Sequence, residues 1–149
     1  MEMALKHGSE TKEVRKRKKY LSDKRAKILV VDDERCVVDT LRICLESDNY
    51  DVLEAYSGDG AIEKARQEAP DLILLDLVLS DITGYEICNR LRKDPLTRSI
   101  PIIMLTGLTG FSDIIAGLDM GANDYITKPF ELNELKKKIS ILLQQHSMV

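Results

Sequence analysis

The sequence predicts an α/β fold, a doubly wound parallel sheet of five strands, on three observations. Short apolar runs alternate with helix-like stretches five times over from residue 27 onward. Successive strands are separated by single helix-length segments, the crossover that parallel neighbours require. Three of the runs, KILVV, LILLD and PIIMLT, are nearly all apolar, as central strands covered on both faces must be.

Taken in order, KILVV (27–31) is the first strand, and 34–47 follows as a helix with Val37, Val38, Leu41, Ile43, Cys44 and Leu45 at roughly helical spacing. DVLEA (51–55) carries Asp51 and Glu54 and is predicted as an edge strand. The turn residues SGDG open a helix over 58–68. LILLD (72–76) is the third strand and YEICNRLRK (85–93) the third helix. PIIMLT (101–106) and a helix over 112–120 come next, then the short strand DYIT (124–127) and an amphipathic helix over 132–145. No internal repeat is present.

A chain of 149 residues with 44% apolar content builds one core, so a single domain is expected over 27–147. Its longest apolar runs, such as ILVV and LILL, are far too short to cross a bilayer, and the N-terminus is charged, so a cytoplasmic protein without membrane insertion is expected. Cys36, Cys44 and Cys88 form no CxxC pair and read as small core residues of a reducing compartment. Charge is uneven. Residues 1–26 hold nine Lys/Arg against four Asp/Glu, a net of +5, which leaves −8 for the rest of a chain whose overall charge is −3. The tail, with VRKRKKY at 14–20, is expected to be largely disordered and solvated; contact with nucleic acid or an anionic surface is its other reading.

In an open α/β sheet, ligands bind outside the carboxyl ends of the strands. Strand 1 ends in Asp32 and Asp33, strand 3 in Asp76 and strand 4 in Thr106, and strand 5 is followed by Lys128 and Pro129. Asp32 or Asp33 alone would suit a helix N-cap, and Lys128 alone a solvated surface. Together they bring three carboxylates, a hydroxyl and an ammonium to one sheet edge. Three carboxylates at close range repel unless a cation neutralises them. Mg²⁺ suits an all-oxygen set, whereas Zn²⁺ is disfavoured without Cys or His. A carboxylate beside such a metal, with a lysine and a hydroxyl opposite, is equipped to attack phosphorus and hold the product as an aspartyl phosphate.

VVDDE, ILLDL, MLTG and DYITKPF, in this order and spacing, resemble the receiver domain of two-component response regulators, over about 27–145. The resemblance implies the strand order 2-1-3-4-5, which a receiver shares with flavodoxin. It implies that Asp76 is the phosphoacceptor, taking a phosphoryl group from a sensor histidine kinase or a histidine phosphotransfer protein. Asp33, Asp76 and the backbone carbonyl of Val78 would ligate Mg²⁺, with Asp32 acting mainly through a bound water. Thr106 and Lys128 would contact the phosphoryl oxygens, Tyr125 would be the switch aromatic, and Lys128–Pro129 a cis peptide. Output would pass through the face made by the fourth helix, fifth strand and fifth helix, to an unnamed downstream effector or a second copy in a homodimer. Lys136, Lys137 and Lys138 lie on that last helix, as a partner patch or as a solvated face.

The chain departs from the family where Leu79 and Ser80 stand in place of Met-Pro and where Gly107 replaces the usual Ala. Val78 and Leu108 occupy the two positions that influence phosphate loss. Both are apolar and cannot orient water, so slow self-dephosphorylation is expected. The protein is thus expected to be a signalling phosphoacceptor that catalyses only its own phosphorylation and dephosphorylation. A haloacid-dehalogenase-type phosphatase would need a second acid where Val78 stands, and a flavodoxin would not carry DDERC after its first strand. No GxxxxGK[ST] or GxGxxG is present. An unphosphorylated interaction module of the same fold is the remaining alternative, against which the five site residues argue. Either a stand-alone receiver or a piece of a longer regulator, for example one with a DNA-binding effector or a cyclic-dinucleotide synthase, is compatible with this reading.

Overall fold

The computed structural model describes residues 11–13, 24–107 and 121–147. The elements are β1 (Lys27–Val31), α1 (Arg35–Ser47), β2 (Asp51–Ala55), α2 (Gly58–Glu68), β3 (Leu72–Asp76), α3 (Gly84–Lys93), β4 (Ile102–Thr106), β5 (Asp124–Thr127) and α4 (Leu132–Ser147). The five strands form one parallel sheet in the order β2-β1-β3-β4-β5. β2 is an edge, as its Asp51 and Glu54 predict, and the nearly all-apolar β1, β3 and β4 are central. The helix expected over 112–120, the basic stretch 14–20 and Leu108 lie outside the described residues.

Alternation along each strand divides the core in two, because successive side chains leave opposite faces. Leu29, Val31, Ile73, Leu75, Ile102 and Met104 pack under α2 and α3 against Ala61, Ala65, Ile87, Cys88 and Leu91. Ile28, Val30, Leu72, Leu74, Ile103 and Leu105 pack on the other face against Val38, Leu41 and Leu45 of α1 and Leu135, Ile139 and Leu142 of α4. Parallel strands covered on both sides leave polar groups few places other than the strand ends.

Several expectations are corrected. Ile43 and Cys36 point away from the sheet and are exposed, and Cys44 is half-buried, because the apolar stripe of α1 runs through Val38, Leu41 and Leu45. Only Cys88 is a core cysteine, and burial pushes its thiol up to about 11. Among the three lysines of α4, Lys137 is exposed and the other two are ion-paired. Lys136 Nζ is 3.0 Å from Asp48 Oδ2 and Lys138 Nζ 3.1 Å from Asp124 Oδ2, so two of the three pin α4 to the domain. No helix among the described residues is long and apolar enough to cross a membrane.

Arg92 ties α3 to the β4 and β5 entrances. Its guanidinium donates to Gly121 O at 2.9 Å, Arg98 O at 3.0 Å, Ile100 O at 2.7 Å and Asn123 Oδ1 at 2.9 Å. Gly121 has a φ of +107°, and a Cβ there would lie 2.7 Å from Arg92 Cγ, so glycine is required on both counts.

Candidate functional site

The polar residues of the sheet gather at its carboxyl edge, because that is where each apolar strand ends. Asp32 follows β1 directly. Its N–H donates to Ala55 O at 3.2 Å, which continues the strand pairing and turns the side chain inward. The carboxylate is fully buried, accepting the Glu34 N–H at 3.0 Å and Lys128 Nζ at 2.9 Å. That first bond decides the capping question. The N-cap of α1 is Glu34, which has no side-chain cap, and Asp32 binds ahead of the helix instead. Asp33 is exposed beside it.

Asp76 is the last residue of β3 and only 8% exposed. Its Oδ1 accepts the Val78 N–H at 3.4 Å and lies 3.5 Å from Lys128 Nζ. Asp32, Asp33 and Asp76 each offer one carboxylate oxygen, all within 4.8 Å of one another. Burial, and next the charge of Asp32, raise the Asp76 pKa above its ordinary value, while Lys128 opposes the rise. For Lys128 burial alone would lower the pKa, but the Asp32 hydrogen bond and the charges of both carboxylates outweigh it and hold the ammonium above its ordinary range. Among the described residues Lys128 reaches Asp32 and Asp76 of the three carboxylates, so this set retains an excess of negative charge that a divalent cation would offset. An all-oxygen donor set of this size fits a hard cation such as Mg²⁺.

Thr106 ends β4 and is buried, with its carbonyl accepting the Lys128 N–H at 2.7 Å. That bond carries the pairing of Thr106 with Thr127 one residue further and sets Lys128 beside the acid cluster. Lys128–Pro129 is cis. Tyr125 on β5 pairs with Met104 and packs, half-buried, at the margin of the core under α2 and α3. The side chain of Val78 is exposed, and its backbone pairs with Thr83 in an isolated bridge.

Gly84, which the sequence did not single out, shapes the loop after Asp76. Its N–H donates to Leu77 O at 2.8 Å, and a Cβ would lie 2.9 Å from Asp76 O and from Leu77 Cα. Those contacts are backbone and cannot swing aside. Gly84→Ala is expected to cost about 2 kcal/mol, read as a lower urea midpoint with an unchanged slope. A midpoint equal to wild type would show that the loop yields freely.

Comparison with known proteins fits this geometry. Residues 28–140 match the response regulator receiver domain family. The chain is 43% identical over 119 residues to the DNA-binding dual master transcriptional regulator RpaA of Synechocystis sp., covering 80% of this chain and 49% of that protein. It is 44% identical over 119 residues to the alkaline phosphatase synthesis transcriptional regulatory protein PhoP of Bacillus subtilis, with the same coverage of 80% and 49%. The chain therefore spans about half the length of these curated relatives. Among solved structures, a response regulator receiver domain protein from Methanospirillum hungatei superposes with a TM-score of 0.79 at 30% identity, over 84% of this chain and 98% of that one. The chemotaxis response regulator CheY4 of Vibrio cholerae gives 0.76 at 29% identity, over 80% and 99%. With its matched family span, its five-stranded parallel sheet and these relatives, the chain belongs to the response regulator receiver domains, the signalling phosphoacceptors of two-component systems.

Proposed function

We propose that Asp76 accepts a phosphoryl group from a phosphohistidine on a sensor kinase or a histidine phosphotransfer protein, in a reaction that requires Mg²⁺. The observation that carries this reading is the convergence of Asp32, Asp33 and Asp76 within 4.8 Å, with Lys128 Nζ 3.5 Å from Asp76. A carboxylate oxygen of Asp76 attacks phosphorus, the bond from phosphorus to the donor nitrogen breaks, and the freed imidazole keeps the electron pair. Asp33, Asp76 and the Val78 carbonyl would hold the ion, with Asp32 acting mainly through a bound water. When bound, Mg²⁺ offsets charge on the transferring oxygens.

Lys128 is already held at the cluster by Asp32, so it meets the incoming group as a pre-placed cation with little reorganisation. Thr106, at the end of the neighbouring strand, would donate its hydroxyl to the phosphoryl group. Its movement would let Tyr125 turn inward and alter the surface that includes β5 and α4. That is a two-state equilibrium biased by a local charge event, and the altered surface would bind a downstream effector or a second copy of the chain.

Incubation with acetyl phosphate, followed by intact mass, tests the metal requirement. A single phosphoryl addition with Mg²⁺ and none with EDTA is expected, and addition at equal rate in both would contradict the proposal. The exposed, apolar Val78 side chain has no group to orient an attacking water. The phosphorylated protein should therefore persist for minutes or longer after donor removal, and loss within seconds would exclude slow self-dephosphorylation.

A further inference from the structure

We propose that Asp81 is the positioning residue of the phosphoacceptor loop: its carboxylate clamps residues 77–83 to the start of α2 and so fixes Val78 beside Asp76. The inference rests on the reading of Asp76 and Val78 given above. The loop leaves β3 at Asp76 and enters α3 at Gly84. At 79–80 it carries Leu-Ser, without a proline to stiffen it.

Other bonds hold it. At its two ends, the Gly84 N–H donates to Leu77 O at 2.8 Å and Val78 pairs with Thr83. Near its tip, both oxygens of Asp81 accept the Gly58 N–H at 3.0 Å, and Oδ2 also accepts the Asp59 N–H at 3.2 Å. These donors are the first two N–H groups of α2, 23 and 22 positions away in sequence. The helix has its own N-cap besides, since Ser57 Oγ accepts the Gly60 N–H at 3.1 Å. Two separate caps therefore serve one helix end, one local and one supplied by the phosphoacceptor loop.

The close approach uses the missing side chain of Gly58: a Cβ there would lie 2.2 Å from Ile82 Cγ1, so any larger residue would displace the Ile82 side chain that sits against the helix start. The Gly58 N–H in particular holds the Asp81 carboxyl below its ordinary value, which keeps it an ionised acceptor at neutral pH. Asp81 does not reach the acid cluster. It acts through the loop that carries Val78, whose N–H is 3.4 Å from Asp76 Oδ1 and whose carbonyl would be the main-chain ligand to Mg²⁺.

A purely structural cap would act on α2 alone, and comparison of Asp81→Ala with Ser57→Ala in the full chain separates the two roles. The first readout is amide hydrogen exchange over 77–83 in metal-free protein. The second is the Mg²⁺ concentration that gives half the maximal phosphorylation rate with acetyl phosphate. Asp81→Ala is expected to speed exchange over 77–83 and to raise the half-maximal Mg²⁺ on the order of tenfold, the scale on which outer-shell supports of metal ligands act. Asp81→Asn, which keeps one acceptor oxygen, should fall between. Ser57→Ala should loosen the start of α2 and leave both readouts at wild-type values.

The clamp is refuted if Asp81→Ala leaves exchange over 77–83 unchanged, or if Ser57→Ala shifts the Mg²⁺ dependence equally. Should wild type take no phosphoryl group, the reading of Asp76 fails, and the exchange measurement still decides whether Asp81 holds the loop.

Discussion

Asp76→Asn is expected to abolish phosphoryl addition and, at the same time, to make the metal-free protein more stable. The amide cannot act as the nucleophile, so no residual addition should occur at this position. The stability gain follows from the raised pKa of Asp76, whose ionised form is penalised by burial and by Asp32. A group whose folded pKa lies above its unfolded one favours the fold most at low pH, and that advantage is lost as pH rises through the folded pKa. Wild type and Asp76→Asn should therefore have similar stability below the ordinary carboxylate range. Above the raised Asp76 value the variant should lead by on the order of 1 kcal/mol, Lys128 having offset part of the repulsion. Urea titrations at several pH values without metal measure the gap. A gap that widens toward acid would contradict the assignment of strain to the ionised carboxylate.

The second large effect is expected at Lys128. Its ammonium sits 2.9 Å from the fully buried Asp32 and 3.5 Å from Asp76, so Lys128→Met leaves two neighbouring buried carboxylates without their cation. Breaking one side of a buried pair costs about 3–5 kcal/mol; the lysine side chain is 26% exposed, so about 2 kcal/mol is the expected loss in metal-free protein. Phosphorylation should slow by about 10²-fold or more, because a pre-placed positive charge at the transferring oxygens is gone. Added Mg²⁺ should restore part of the stability while the rate stays low. Equal phosphorylation rates for variant and wild type would remove Lys128 from the site.

The sheet was legible because its signals are local. KILVV, LILLD and PIIMLT announce buried parallel strands by composition alone, and the rule that ligands sit at strand ends then places Asp32, Asp76 and Thr106 on one edge. What escaped the sequence depends on tertiary contacts with no periodic signature. The spacing of α1 admitted Ile43 to the core face, but the sheet meets the helix along Val38, Leu41 and Leu45. The run Lys136–Lys138 gave no sign of its ion pairs because Asp48 and Asp124 lie elsewhere in the chain. Arg92 finds carbonyls near the β4 and β5 entrances and Asp81 the first N–H groups of α2, partners that no motif encodes. Gly84 had one readable trace, a Thr-Gly pair ahead of an apolar helix, where the threonine caps and the glycine permits close approach.

The site chemistry is tested most directly by locating the phosphoryl group. Wild-type protein, treated with acetyl phosphate and Mg²⁺, is reduced with borohydride, which converts an acyl phosphate of aspartate to homoserine, and then digested and sequenced by mass spectrometry. Homoserine at position 76 and nowhere else is the predicted result. Conversion at another carboxylate, or none in protein whose intact mass shows the addition, would contradict the assignment of Asp76 as the phosphoacceptor.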